Sequence, residues 1–363
     1  MESRAGGPGP PAPSASASSD PGDDRTLPAL LLAQVAAQPE QPWLFVQRGL
    51  DWRWRSFGAV AARVERLRAG LADGLAGLPA AGAHNGSAPR IGFEDDGGAD
   101  AITRDLAIQA AGACAAPLPP GLAGEARAVA LAERSCAALA LLGTGAETPP
   151  PASDEPGSTT SAASAGGGDA PSTAPEPDRV AVLHLPRDGP SEPAASPTPS
   201  WADGSVLVTD EDRWREVSQG DLIAEVEELG ARLASPNPQR RSRRTAAARR
   251  STRPRRDVLV LPRPLADPAG RRLAAWSLAA GAALVLEPDR VHLAATAAWV
   301  RPTVFAGDAA EIEALRALVD AGRSRRRGLP LGRLHTVAVL GGEALPAAER
   351  AYWTGRGAAV RVV

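Results

Sequence analysis

From Val258 onward, short apolar runs alternate with segments of helical period, and this alternation constrains the fold more than any other feature of the chain. The runs are Val258 to Leu261, Ala283 to Leu286, Thr303 to Phe305, Thr336 to Leu340 and Ala359 to Val363. Between them, Gly270 to Ala279, Leu293 to Val300, Ala309 to Val319 and Ala347 to Trp353 read as helices. Strands this short and apolar are buried on both faces, and successive strand–helix–strand steps imply a mostly parallel sheet covered by helices.

The first third carries the same signals after a leader of Pro, Ser, Gly and Ala over residues 1–26, which is expected to be disordered. Leu30, Leu31 and Val35 are spaced for a short helix, and Trp43 to Gln47 with Asp51 to Arg55 read as a β-hairpin about Arg48-Gly49-Leu50. Ser56 stands at an N-cap position. Phe57, Val60, Val64, Leu67 and Leu71 then recur every three or four residues, which places them on one helical face. Strand and helix signals continue to residue 143, so 27–143 is expected to form an α/β subdomain.

Residues 144–177 turn to Pro, Ser, Thr, Gly and Ala and read as a low-complexity linker. An α/β segment over 178–235 follows, with a strand at Arg179 to Leu185, a second at Ser205 to Val208, and an amphipathic helix capped by Ser218 and Asp221. Within 236–256 lies an arginine-rich linker, nine of the seventeen residues from Arg240 to Arg256 being arginine with no aromatic among them. The region 257–363 completes the division as the alternating subdomain.

Charge and composition exclude more than they assign. A formal net charge of -2 gives no global attraction to nucleic acid or membrane, and no apolar run reaches the ~20 residues of a membrane span. Together with the lack of a leader h-region, this makes a cytoplasmic location the expectation. Cys114 and Cys136 have no metal-ligand spacing and read as buried or incidental thiols. All 40 basic residues are arginine, so no mechanism can draw on a lysine of this chain.

Several segments, in order, resemble landmarks of the long-chain acyl-CoA synthetases of the adenylate-forming superfamily. These are Trp54-Arg-Ser-Phe-Gly-Ala-Val, Ile91 to Pro120, Val217 to Leu233, Pro264-Leu265-Ala266-Asp267, Val300-Arg-Pro-Thr-Val-Phe-Ala-Gly, and Val337 to Pro346, VAVLGGEALP. The resemblance covers roughly 27–143 and 178–363. It implies an α/β N-terminal domain of that type, with mixed or parallel sheets flanked by helices and disordered insertions. ATP, Mg²⁺ and CoA would be its cofactors and co-substrates, and a fatty acyl or adenylate group its ligand. Gly341, Gly342 and Glu343 are the positions matching the family segment that lines the nucleotide and acyl site; equally, a Gly-Gly pair after a buried strand is a tight turn into a helix.

The chain departs from the family at the chemistry. Ser218-Gln219 stands for the family's Thr-His, and Asp267 for the His of Pro-Leu-Ala-His. Where a Ser/Thr/Gly-rich phosphate loop ending in Pro-Lys-Gly belongs, the chain reads LPRDGPSEPAAS, whose prolines remove N–H donors and whose Asp188 and Glu192 repel an anion. Gly157-Ser-Thr-Thr has no lysine and no strand–helix context. The sequence ends at Val363, where the family's Tyr-Gly-x-Thr-Glu would begin, and the adenylation lysine is absent. The expectation is a catalytically inactive or C-terminally truncated relative that retains acyl-adenylate or nucleotide binding, with acid–thiol ligation as the family activity. Two alternatives stand beside it. One is a non-enzymatic protein that binds a polyanion or nucleic acid through Arg240 to Arg256 and Arg323 to Arg327, against which stand the acidic balance and the missing aromatics. The other is a ligase completed by a second polypeptide. An open sheet edge at the last strand would favour a protein partner that completes it.

Overall fold

Thr26 caps the first helix, its hydroxyl accepting the Ala29 N–H at 3.1 Å at the start of α1 (Leu27–Ala37). The computed structural model describes residues 25–48, 51–76, 88–142, 181–185, 205–210, 213–233, 256–262, 265–287, 292–324, 331–342 and 344–363. The leader up to residue 24, the low-complexity linker, the stretch Pro186 to Ser196 and the arginine run up to residue 255 lie outside them, as do Pro264 and Arg325 to Arg327.

The hairpin forms as the sequence predicts, with β1 (Pro42–Arg48) antiparallel to β2 (Asp51–Ser56). The Ser56 hydroxyl then accepts the Ala59 N–H at 3.2 Å and begins α2 (Phe57–Ala76). All five apolar residues of its predicted face are at most 1% exposed; burying each contributes roughly 1.5–3 kcal/mol relative to exposure. Trp43 stacks on Phe57 at 5.4 Å, which holds the hairpin against α2.

The chain continues through β3 (Arg90–Glu94), α3 (Ala99–Ala110), β4 (Cys114–Leu118), α4 (Gly124–Glu133), β5 (Ala138–Leu142), β6 (Ala181–Leu185), β7 (Ser205–Asp210) and β8 (Arg213–Ser218). After α5 (Gln219–Leu233) come β9 (Val258–Leu261), α6 (Pro268–Ala279), β10 (Ala283–Leu286), α7 (Leu293–Val300) and β11 (Val304–Gly307). The last elements are α8 (Ala309–Ser324), β12 (Thr336–Val339), α9 (Ala347–Gly355) and β13 (Ala359–Val362). Several details differ from the sequence reading, among them these three. β8 was not expected, since Arg215 and Glu216 put charge on both faces of the strand and break the apolar alternation of Trp214 and Val217. α6 begins two residues early, at Pro268. α8 runs past Val319 to Ser324.

Two sheets result. The seven-stranded sheet has the order β13-β12-β11-β9-β10-β1-β2 and is parallel except for the β1–β2 hairpin. The six-stranded sheet has the order β6-β5-β3-β4-β7-β8 and is parallel except for β7–β8. Side-chain alternation sorts the strands into layers. Leu259, Leu261, Leu284 and Leu286 face the central core with α1, α2, α3, α5 and α6, whereas Val260, Val285 and Phe305 face an outer core with α7, α8 and α9. On the far side of the six-stranded sheet, Cys114, Ala116 and Leu118 pack under α4. The architecture is α/β, with a middle layer of helices between two mostly parallel sheets.

Candidate functional site

In open α/β sheets, ligands bind outside the carboxyl ends of the strands, where neighbouring connections leave in opposite directions. In the seven-stranded sheet that place lies between β9 and β11, because the connection from β9 leads to β10 on one side and that from β11 to β12 on the other. The residues that follow these strands are therefore the candidates.

After β9 comes Asp267. Its Oδ1 accepts the N–H groups of Ala269 at 2.8 Å and Gly270 at 3.0 Å, so it caps α6, with Pro268 preset in the first turn. After β11, Asp308 and Glu311 form a reciprocal capping box at the start of α8, each side chain accepting the other's backbone N–H at 2.8 Å. Gly307 leaves room for it: a Cβ there would lie 3.0 Å from both Cβ and Oε2 of Glu311. After β10, Glu287 is buried and accepts the Thr296 hydroxyl at 2.6 Å.

After β3 of the other sheet, buried Asp95 accepts the Gly97 N–H at 3.1 Å and, across the interface, the Ala266 N–H at 2.8 Å. Burial pushes its pKa above the usual carboxylate value, against the two amide bonds and the Arg271 charge that pull it down. Through Asp95 the carboxyl edges of both sheets meet at the β9–α6 loop. Beneath that loop, Leu265 closes a small cavity with Leu27, Trp43 and Ile102, and Asp105 and Arg271 form its polar wall.

After β12, Gly341 and Gly342 adopt left-handed backbone angles, φ +87° and +73°, and both are exposed with no atom within 4 Å of an added Cβ. The turn requires glycine because an L side chain there costs roughly 1–2 kcal/mol. The pair stands on the same sheet edge as Asp308; Glu343 lies outside the described residues. Sequence reasoning missed Asp267, Asp308 and Glu311 as caps, although Asp-Pro before an apolar helix and Asp-x-x-Glu are both recognisable N-terminal signals. Asp95 left no local signal, since its partner Ala266 is remote in sequence.

The donor set is poor for metal. Among the described residues, no three His, Cys, Asp or Glu side chains gather in a metal-ligating group, and Asp267, Asp308 and Glu311 are engaged by backbone amides. Those residues do not fit Mg²⁺.

No protein-family model and no curated protein matches the chain. Solved structures do. The inhibitor-bound N-terminal domain of FACL13 from Mycobacterium tuberculosis aligns with TM-score 0.62 at 12% identity, over 93% of this chain and 74% of that one. The Mycobacterium tuberculosis fatty acyl CoA synthetase aligns with TM-score 0.61 at 13% identity, over 92% and 58%. The nonribosomal peptide synthetase FmoA3 aligns with TM-score 0.61 at 17% identity, over 93% and 31%. The fold is that of the adenylate-forming synthetases. At these identities the likeness is one of fold, and the chain spans between 31% and 74% of the three synthetase chains. Within the adenylate-forming fold, the carboxyl edge of β9, β11 and β12 carries this chain's own capping carboxylates and its exposed glycine turn. No helix among the described residues is long and apolar enough to cross a membrane.

Proposed function

We propose that this chain is a non-catalytic relative of the AMP-dependent acyl-CoA ligases that binds a fatty acyl-adenylate or nucleotide at the carboxyl edge of its seven-stranded sheet. The observation that carries the reading is the state of the two helix N-termini at that edge. A helix N-terminus is a ready anion site because its first amides point outward unpaired. At α6 and α8 those amides are taken by Asp267 and by Asp308, and their carboxylates oppose a phosphate. Adenylation must bring a carboxylate to the α-phosphate of ATP, so donors and cations have to neutralise the developing charge. This chain has no lysine to supply it, and the segment from Pro186 to Ser196 is rich in proline and carries Asp188 and Glu192.

An acyl-adenylate carries a single phosphate and an apolar chain, so its binding needs far less charge neutralisation than ATP. The exposed Gly341-Gly342 turn allows close approach of a ligand to backbone. FACL13 supports the reading, since there an N-terminal domain alone is inhibitor-bound.

Calorimetric titration with a non-hydrolysable fatty acyl-sulfamoyl adenosine tests the proposal. The expected Kd is tighter than ~100 µM, or more than ~5 kcal/mol, with no AMP formed from ATP, fatty acid and CoA. Gly342→Trp is expected to abolish the heat. AMP and pyrophosphate release above background would overturn the inactivity, and a folded sample giving no heat would overturn the binding.

A further inference from the structure

The cavity beneath the β9–α6 loop has a volume of about 20 Å³ and is lined by apolar side chains such as Leu27, Trp43, Leu106 and Leu278, except where Arg271 and Asp105 form its wall. The side chains of that pair are 1% and 6% exposed. Their hydrogen bonding is incomplete. Arg271 Nε donates to the Leu265 carbonyl at 3.2 Å, and Asp105 Oδ2 accepts from Gln109 Nε2 at 2.7 Å. Arg271 Nη2 and Asp105 Oδ1 approach at 2.9 Å as opposite charges but without the alignment of a hydrogen bond, so Nη1, Nη2 and Oδ1 are all buried and unbonded.

A buried polar atom without a partner is costly, and native interiors leave few of them. Three such atoms on one ion pair, at one cavity, restrict what the cavity can hold. Its occupant must accept from a guanidinium and donate to a carboxylate at the same time. An anion would accept from Arg271 but be repelled by Asp105. A metal cation would be drawn to Asp105 but meet the N–H hydrogens of Arg271, which has no acceptor to offer. An apolar group satisfies neither side. Water does both, and it needs ~10–15 Å³ of space and roughly two to four polar partners, which this cavity and these three atoms provide. We propose that the cavity is a binding site for an internal water that accepts from the Arg271 guanidinium and donates to Asp105 Oδ1. The water joins α3 to α6 directly below Leu265, whose carbonyl Arg271 holds, and so fixes the floor of the loop that carries Ala266 and Asp267. This inference does not depend on what binds at the carboxyl edge above.

Magnetic relaxation dispersion of the water oxygen counts the waters that a protein holds for longer than it tumbles. At neutral pH the double variant Asp105→Leu/Arg271→Met is expected to lose the contribution of one water. Ala275 also lines the cavity, and Ala275→Val, which fills the space and keeps the ion pair, is expected to lose the same. The native chain gives a second reading by itself: with methyl-labelled leucine, Leu106 and Leu278 should show nuclear Overhauser contacts to a long-lived water. Unchanged dispersion in either folded variant overturns the proposal, as does the absence of those methyl contacts in the native chain. So does a contribution that disappears when chloride replaces sulfate at constant ionic strength, because an anion would then be the occupant.

Discussion

Arg271 of α6 and Asp105 of α3 meet at 2.9 Å in the middle layer, with side chains 1% and 6% exposed. The pair heads a buried polar relay: Gln109 donates to Asp105 at 2.7 Å, Gln219 to Gln109 at 2.5 Å, and the Leu27 backbone N–H to Gln219 at 2.9 Å. Four helices, α6, α3, α5 and α1, are tied by it between the two sheets. Removing one member of a buried ion pair leaves the other charge uncompensated, so Asp105→Leu or Arg271→Met should each cost about 3–5 kcal/mol. The double variant should cost less than either single one. Urea unfolding of the four proteins checks this, and additive losses would count against the coupling.

Burial raises the pKa of Asp105 from 3.8 to about 6, against the opposing Arg271 charge and the Gln109 bond and with Asp95 adding to it. The folded state therefore holds this proton more tightly than the unfolded chain. Its stabilising contribution is complete below 3.8 and is lost as pH rises through about 6, a change of roughly 3 kcal/mol over two pH units. Unfolding free energy measured across that window should fall more steeply in the native chain than in Asp105→Asn, where the slope from this site vanishes. At Asp100 burial also pushes upward, but Arg55, Arg63 and Arg104 outweigh it and hold the carboxyl below its usual range. Its contribution is instead lost toward acid.

Asp267→Ala should destabilise the chain by about 1 kcal/mol, since the first turn of α6 loses the acceptor for two amides. Asp267→Asn keeps an acceptor and should cost less. Asp267→His should resemble Ala in chemical denaturation. Equal stability of all four proteins would show that the cap contributes nothing.

Cys114 and Cys136 form no disulfide and are buried under α4 on the far side of the six-stranded sheet, and burial pushes the Cys136 thiol up to about 12. Neither should react with a disulfide reagent at neutral pH until the chain unfolds. Two equivalents should appear in denaturant. Rapid labelling of the native protein would contradict the packing of α4 on the six-stranded sheet.

Elements defined by near neighbours were legible in advance. The face of α2, its Ser56 cap and the β1–β2 hairpin depend on residues within a turn or two of one another, and local propensity and periodicity agree there. So did the alternation from β9 to β13. β8 was missed because charge at Arg215 and Glu216, on opposite faces of the strand, hides its pairing with β7; the Gly341-Gly342 turn was located, but a glycine pair in sequence does not distinguish a ligand contact from a plain turn.

The amino-acid sequence by itself determined the α/β class, the order of the strands and helices other than β8, the absence of lysine chemistry and the cap at Ser56, because each is a property of short stretches of chain. Only the tertiary structure decided that β1 lies beside β10, that Asp95 reaches Ala266, and that Arg271 finds Asp105. Those partners are far apart along the chain, and which of them meet depends on how two sheets and a layer of helices share one core.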